Sequence, residues 1–349
     1  MIEIHDKLGT LDELLVIIDD LLLDERYDYN ELLVQKGNIL SIQGKDKIAM
    51  KCFDKVLQDD STNLWAYYFK CYVLNKSDDL SNFDKLFSMV KSQSPDEYYI
   101  WLLIGVLFSR NDRFDDALYC IDESINRYDG QEDSWLYKGL IFYEMGKYDE
   151  ALSAIDIALK INPKDSYLYL TKSVILNAME KYDGAIFYSN KCLELDKNNV
   201  LCLYNLSLSL YNQNKFDESL KYCESALKID PNYCLSLNLY AEILRHKKRF
   251  DDALVVINKG LNSCSEGIDF LKLKLLILSD LRKWDDVLCL SNEILKIEND
   301  CELTWNLKFD ALENLNKVDE LILAYDEVFK IFENDSDLKK DKTERLNRL

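Results

Sequence analysis

Cysteine and histidine are the residue types in this chain with the most varied chemistry, and the sequence holds ten cysteines but only two histidines. No two cysteines stand in a C-x-x-C arrangement, and His5 and His246 are far apart in the sequence. The spacing therefore supports neither a zinc site nor a Cys-His or Ser-His-Asp catalytic set. The sequence predicts no metal, no cofactor and no enzymatic activity.

The cysteines fall inside helical patterns of apolar residues, where a thiol acts as a small hydrophobic side chain. They are Cys52, Cys71, Cys120, Cys192, Cys202, Cys223, Cys234, Cys264, Cys289 and Cys301. The sequence has no run of eighteen apolar residues, and no basic segment precedes its first apolar residues, so it predicts neither a transmembrane helix nor a signal peptide. We therefore expect a cytoplasmic protein whose cysteines are reduced core residues.

Aspartates recur at a fixed interval of 34 residues. The run comprises Asp115, Asp149, Asp183, Asp217, Asp251, Asp285 and Asp319. Each follows an aromatic or apolar residue at the start of a helical pattern, where a carboxylate can cap free N–H groups and suit the helix dipole. We interpret this run as structural. Because the formal net charge is −20, the sequence also disfavours a nucleic-acid partner.

The residues between these aspartates form pairs of helices. In residues 132–165, two helical patterns flank a turn at Gly146, and Pro163 ends the second pattern. Helices joined by so short a turn must lie antiparallel. We expect Gly139 and Ala151 to be the small pair that lets the two helices cross closely.

The same pattern repeats along nearly the whole chain without insertions. The three prolines, Pro95, Pro163 and Pro231, are separated by twice the 34-residue interval. Trp101 and Trp135 are separated by one such interval. Self-similarity at this period indicates a solenoid of helix-turn-helix units.

These residues resemble the tetratricopeptide repeat family. The fullest match comprises Trp135, Gly139, Phe142, Tyr148, Ala151, Ile155, Ala158 and Pro163, with Lys138 where the family usually has Leu. The resemblance implies an all-α, right-handed superhelical solenoid of antiparallel helix pairs. It places nine repeats in residues 30–335, a half repeat in residues 1–29 and an amphipathic capping helix in residues 336–349.

The family lines a concave groove with the first helix of each repeat, which implies a binding surface for a protein partner. The inward-facing residues here are mostly apolar or aromatic: Tyr68, Phe69, Tyr72, Leu102, Leu103, Val106, Leu136, Tyr137, Leu140, Tyr143, Tyr167, Leu170, Val174, Tyr204, Leu208 and Tyr211. We predict that they bind an apolar or amphipathic peptide or helix. Two alternatives remain: these side chains pack between neighbouring first helices, or they are covered by the chain's own tail or by a second copy. The last would make the protein a self-assembling homo-oligomer.

Overall fold

A computed structural model describes residues 8–24, 26–74, 81–264, 267–332 and 336–348. Every regular element in those ranges is an α-helix, so the predicted all-α class is confirmed. The chain divides into two compact units, residues 1–163 and 164–349.

The first unit contains helices α1 to α9. Their bounds are α1 Leu8–Leu21, α2 Tyr29–Ile42, α3 Asp46–Asp59, α4 Leu64–Leu74, α5 Ser81–Gln93, α6 Tyr98–Ser109, α7 Phe114–Arg127, α8 Glu132–Glu144 and α9 Tyr148–Ile161. From α2 onward, each even-numbered helix packs against the odd-numbered helix that follows it. Consecutive pairs also contact each other, as α3 does with α4 and α7 with α8.

The second unit contains helices α10 to α20. Their bounds are α10 Ser166–Ala178, α11 Tyr182–Leu195, α12 Val200–Asn212, α13 Phe216–Ile229, α14 Cys234–His246, α15 Phe250–Ser263, α16 Ile268–Asp280, α17 Trp284–Ile297, α18 Glu302–Asn314, α19 Val318–Ile331 and α20 Ser336–Arg348. The first helices of neighbouring pairs touch, since α10 contacts α12, α12 contacts α14 and α14 contacts α16. First helices begin 34 residues apart throughout this unit, in agreement with the sequence period.

Within the described residues, the turn inside each helix pair is closed by one residue in the left-handed backbone conformation; the α4–α5 turn lies outside those residues. Gly146 has φ 72°, and the same repeat position is held by Glu180 at 58° and Lys248 at 57°. After α10, the N–H of Glu180 donates to the carbonyl of Asn177 at 2.9 Å, and the N–H of Lys181 donates to that of Leu176 at 2.8 Å. These two hydrogen bonds provide partners for backbone carbonyl groups that would otherwise have none at the end of the helix. The turn therefore depends on backbone geometry, and glycine is used at only some of its occurrences.

We expect Lys248→Gly to raise the free energy of unfolding by about 0.5–1 kcal/mol, because a side chain at positive φ has a steric cost that glycine avoids. Urea denaturation measures the change. Gly146→Ala is the converse control, since an added Cβ there meets no atom within 4 Å and only the backbone conformation opposes it. It should lower the free energy of unfolding by a similar amount. No change in either variant would contradict this account of the turn.

The close crossing of α8 and α9 forms at the predicted glycine. A Cβ on Gly139 would lie 2.7 Å from Cδ1 of Ile155 and 3.2 Å from the carbonyl oxygen of Ala151. The close approach therefore involves Ile155 as well as Ala151. In the second unit the positions of Gly139 and Ile155 are held by Ser173 and Ser189, whose hydroxyl oxygens are 3.0 Å apart.

The repeated aspartates do not cap helices, and this part of the prediction was wrong. Helix α9 begins at Tyr148, so Asp149 is its second residue, and the capping position belongs to Lys147, whose side chain makes no cap bond. Two of the carboxylates instead reach the next repeat: Asp183 accepts a hydrogen bond from Nε2 of Gln213 at 2.8 Å, and Asp217 pairs with the ammonium of Lys247. Their place in the first helical turn still suits the helix dipole.

The expectation that all cysteines are reduced core residues was also wrong. The structure contains two disulfides, Cys192–Cys202 and Cys234–Cys264, with Cα–Cα distances of 6.4 Å and 6.0 Å. Among the other cysteines, Cys52, Cys71, Cys120 and Cys223 are buried as expected, whereas Cys289 is exposed. Burial raises the pKa of the Cys71 thiol to about 12, which keeps it neutral and unreactive.

The last helix, α20, packs on the pair before it. Leu338 contacts the apolar cluster of α18 and α19, and the guanidinium of Arg345 lies 2.6 Å from Asp310 and 2.9 Å from Glu313. The side chains of Leu346 and Leu349 lie outside the described residues. The observed contacts of α20 are thus with α18 and α19.

Candidate partner-binding surface

In the first unit, the predicted surface begins with an aromatic cluster on α4 and α6. Trp65 stacks on Phe69 with ring centroids 6.1 Å apart, and on Tyr99 at 6.2 Å. Tyr68 meets Phe69 edge-on at 5.1 Å, while Tyr72 is exposed. The rings of Trp65, Tyr68, Phe69 and Tyr99 pack against one another, while Tyr72 remains accessible to a partner.

Of the other predicted residues of this unit, two lie in the core and five are only half-buried. Leu102 and Leu136 are buried. The remainder, Leu103, Val106, Tyr137, Leu140 and Tyr143, are half-buried. A charge introduced at either buried leucine would therefore test packing and not binding.

In the second unit, the predicted residues separate into two groups. On α10, Leu170 is buried against both cysteines of the Cys192–Cys202 disulfide, Val174 packs beside it and Tyr167 is exposed. On α12, Tyr204, Leu208 and Tyr211 line an open cleft of about 550 Å³. We call this the α12–α14 cleft. Its other walls include Leu235, Asn238, Leu239 and Glu242 of α14, Asp269 and Phe270 of α16, and Cys234 with Cys264.

Two tyrosines, Tyr204 and Tyr211, bring hydroxyl groups to the cleft. The hydroxyl of Tyr211 donates to Oε1 of Glu242 at 3.3 Å and lies 2.8 Å from Nε2 of His246. Burial, with the Glu242 charge as a second cause, raises the pKa of Tyr211 to about 12. Burial also raises the pKa of Tyr204 to about 12. Both phenols therefore stay protonated near neutral pH and can donate hydrogen bonds.

An exposed apolar row lies on the first helices of this unit. Tyr167, Leu201 and Leu235 occupy the second position of three consecutive repeats and are 45%, 45% and 51% exposed. The sequence prediction included Tyr167 but missed Leu201 and Leu235, because most of its residues came from the fifth, sixth and ninth positions of each repeat. A recurring apolar residue at the second position was the signal that could have found them.

Asn205, the residue after Tyr204 on α12, is buried in a polar network. It accepts a hydrogen bond from Nδ2 of Asn177 at 2.7 Å and donates to Oγ of Ser189 at 3.2 Å. Oγ of Ser209 donates to Oδ1 of Asn177 at 2.9 Å. Because these residues come from α10, α11 and α12, the network joins two neighbouring repeats beside the cleft.

Asn205→Leu should lower the free energy of unfolding by about 1–3 kcal/mol, because buried Ser189 and half-buried Asn177 would each lose a hydrogen-bond partner. Chemical denaturation measures the loss. Asn238→Leu, on the half-buried wall of the α12–α14 cleft, is the matched control and should change the free energy by less than about 0.5 kcal/mol. Equal losses in the two variants would show that the network does not stabilise the repeat junction.

Comparison with known proteins settles the family. Three models of the tetratricopeptide repeat match three consecutive segments, residues 132–165, 166–199 and 200–233. The chain is a tetratricopeptide repeat protein. Such arrays offer extended concave surfaces and are typical of protein–protein interaction scaffolds. No curated protein sequence matches this tetratricopeptide repeat protein. Within the described ranges, no helix is both long and apolar enough to cross a membrane.

Solved structures share the fold at low sequence identity. A chain of the APC/C hetero-tetramer Cut9–Hcn1 is 18% identical with a TM-score of 0.58, over 80% of this protein and 55% of that chain. This protein therefore spans about half the length of that relative. PilW, a type IV pilus biogenesis factor, is 16% identical with a TM-score of 0.56, over 60% of this protein and 97% of PilW. A tetratricopeptide repeat protein from Parabacteroides merdae is 13% identical with a TM-score of 0.54, over 81% and 98%.

Proposed function

We propose that this tetratricopeptide repeat protein is a scaffold that binds an amphipathic segment of a partner protein on its first helices. The observation that carries the proposal is the α12–α14 cleft together with the exposed row of Tyr167, Leu201 and Leu235. An accessible apolar row beside a concave cleft is typical of a binding site.

The side chains of the cleft suit a helix or extended peptide. Tyrosine offers a large contact area and loses little conformational entropy on binding, and its hydroxyl can form a hydrogen bond. The ring of Tyr204 meets that of Tyr233 edge-on with centroids 5.9 Å apart, and the ring of Tyr211 packs at a tilt against Phe216 with centroids 5.6 Å apart. Rings already held by neighbours need less ordering on association, which favours binding.

The charge of the cleft favours a basic partner. Of the described residues that line it, Glu242 and Asp269 are acidic and none is lysine or arginine. The whole chain carries a formal net charge of −20, which attracts cations over a longer range. The segment we propose is therefore apolar on one face and rich in lysine or arginine on the other.

The first unit contributes a second candidate surface. Tyr72 is exposed beside the aromatic cluster of Trp65, Tyr68 and Phe69. The half-buried residues Leu103, Val106, Tyr137, Leu140 and Tyr143 belong to the same proposal, whereas the buried Leu102 and Leu136 do not.

Fluorescence anisotropy with a labelled 18-residue amphipathic peptide of leucine and lysine tests the proposal. Leu235→Asp should weaken binding at least tenfold, about 1.4 kcal/mol, because the partner must desolvate the new charge. Folding should be nearly unaffected, since Leu235 is already exposed. A leucine–glutamate peptide of equal length should bind far more weakly than the leucine–lysine peptide.

The matched control is Val255→Asp, because Val255 is 69% exposed on α15 of the same repeat. It should bind the peptide as the unaltered protein does. Equal affinities of the two variants would contradict binding in the cleft.

Light scattering over a range of concentrations tests the alternative function, self-association. If the protein associates and Leu235→Asp abolishes that association, the protein is a homo-oligomer formed through the same surface.

A further inference from the structure

The Cys234–Cys264 disulfide forms part of the wall of the α12–α14 cleft. Cys234 is the first residue of α14 and Cys264 follows the last residue of α15, so the bond joins the two free ends of one helix pair. Both cysteines are partly exposed, and both line the cleft. A reagent that enters the cleft therefore meets this disulfide.

The fold brings these two repeat positions together whatever side chains occupy them. In residues 132–165 the same positions are Glu132 and Asn162, and Nδ2 of Asn162 donates to Oε1 of Glu132 at 3.0 Å. In the preceding repeat they are Tyr98 and Tyr128, whose ring centroids are 5.4 Å apart. A noncovalent contact thus closes the helix pair in these two repeats. The covalent bond at Cys234 and Cys264 is an addition that the fold does not require.

The other disulfide provides an internal contrast. Cys192 and Cys202 are both fully buried, and their bond joins α11 to α12. Thiol–disulfide exchange needs an attacking thiolate in line with the sulfur atoms, so a buried bond reacts only after local unfolding.

We propose that Cys234–Cys264 is a reversible thiol–disulfide exchange site whose substrate is a thiol that enters the α12–α14 cleft. The incoming thiolate forms a bond to one cysteine sulfur, the Cys234–Cys264 bond breaks, and the other cysteine leaves as a thiolate that takes up a proton. A second thiol then displaces the first cysteine. Two thiols are oxidised to one disulfide, and the two cysteines are reduced.

Reduction also regulates the cleft, a step that rests on the proposed function. The disulfide ties the end of α15 to the start of α14, while Phe270 of α16 packs tightly over Gly260 of α15. While the disulfide is intact, the cleft walls formed by α14 and α16 are therefore both fixed to α15. Without the bond its wall gains freedom, and a partner must order that wall on binding.

Differential alkylation tests the exchange site. The native protein is first oxidised with oxidised dithiothreitol and then treated with reduced dithiothreitol, and free thiols are alkylated with iodoacetamide and located by mass spectrometry. We expect Cys234 and Cys264 to be alkylated in the native protein, and Cys192 and Cys202 only in denaturant. Reduction of both pairs together, of neither pair before unfolding, or failure of Cys234 and Cys264 to oxidise would overturn the proposal.

The leucine–lysine peptide tests regulation. Its affinity for the unaltered protein should fall at least threefold on reduction. The variant Cys234→Glu with Cys264→Asn reproduces the pair found in residues 132–165, and its affinity should not respond to dithiothreitol. Equal affinities in the two redox states, after selective alkylation, would refute regulation and leave the exchange site standing. Absence of peptide binding in both states would contradict the proposed function, while the alkylation result would still decide the exchange site.

Discussion

The contact at the crossing of the two helices in each repeat is the constraint on which the rest of this structure depends. The eighth residue of the first helix meets the twenty-fourth residue of the repeat, as Gly139 meets Ile155 and Ser173 meets Ser189. In these two repeats the sizes compensate, since glycine faces a branched side chain and serine faces serine; in residues 302–335 the same positions hold Phe309 and Tyr325, whose rings stack with centroids 4.1 Å apart. Because this contact sets how closely the helices approach, it also determines which face of the first helix remains available to line a cleft.

Ion pairs between neighbouring repeats also recur at fixed repeat positions. Where the family usually has leucine, Lys138 reaches back to Asp122 of the preceding repeat, with 2.6 Å between Nζ and Oδ1. Lys70 and Asp54 make the equivalent pair at 2.6 Å. Such partly exposed ion pairs contribute little to stability individually. Their recurrence explains how a charged residue can replace leucine at this junction.

The helix pairs, their period and the glycine crossing could be predicted from sequence because they depend on residues close in the chain. The disulfides and the burial of Asn205 could not, because these side chains meet residues of other helices whose directions a periodic pattern does not specify. Leu136 and Leu170 show a further limit. The first helix of a repeat carries apolar residues on three faces: one packs on the second helix, one on the next repeat, and one lines the cleft. The spacing of apolar residues alone does not show which face a given residue belongs to.

The central claim is that matched side chains at the crossing specify the geometry of each helix pair, and a double-mutant cycle at Gly139 and Ile155 tests it most directly. Gly139→Ser alone should destabilise, since its Cβ would lie 2.7 Å from Ile155. Ile155→Ser alone should destabilise by leaving a cavity. Together they recreate the Ser173–Ser189 pair, so their combined loss in urea denaturation should be smaller than the sum by at least about 1 kcal/mol. Additive losses would contradict the claim.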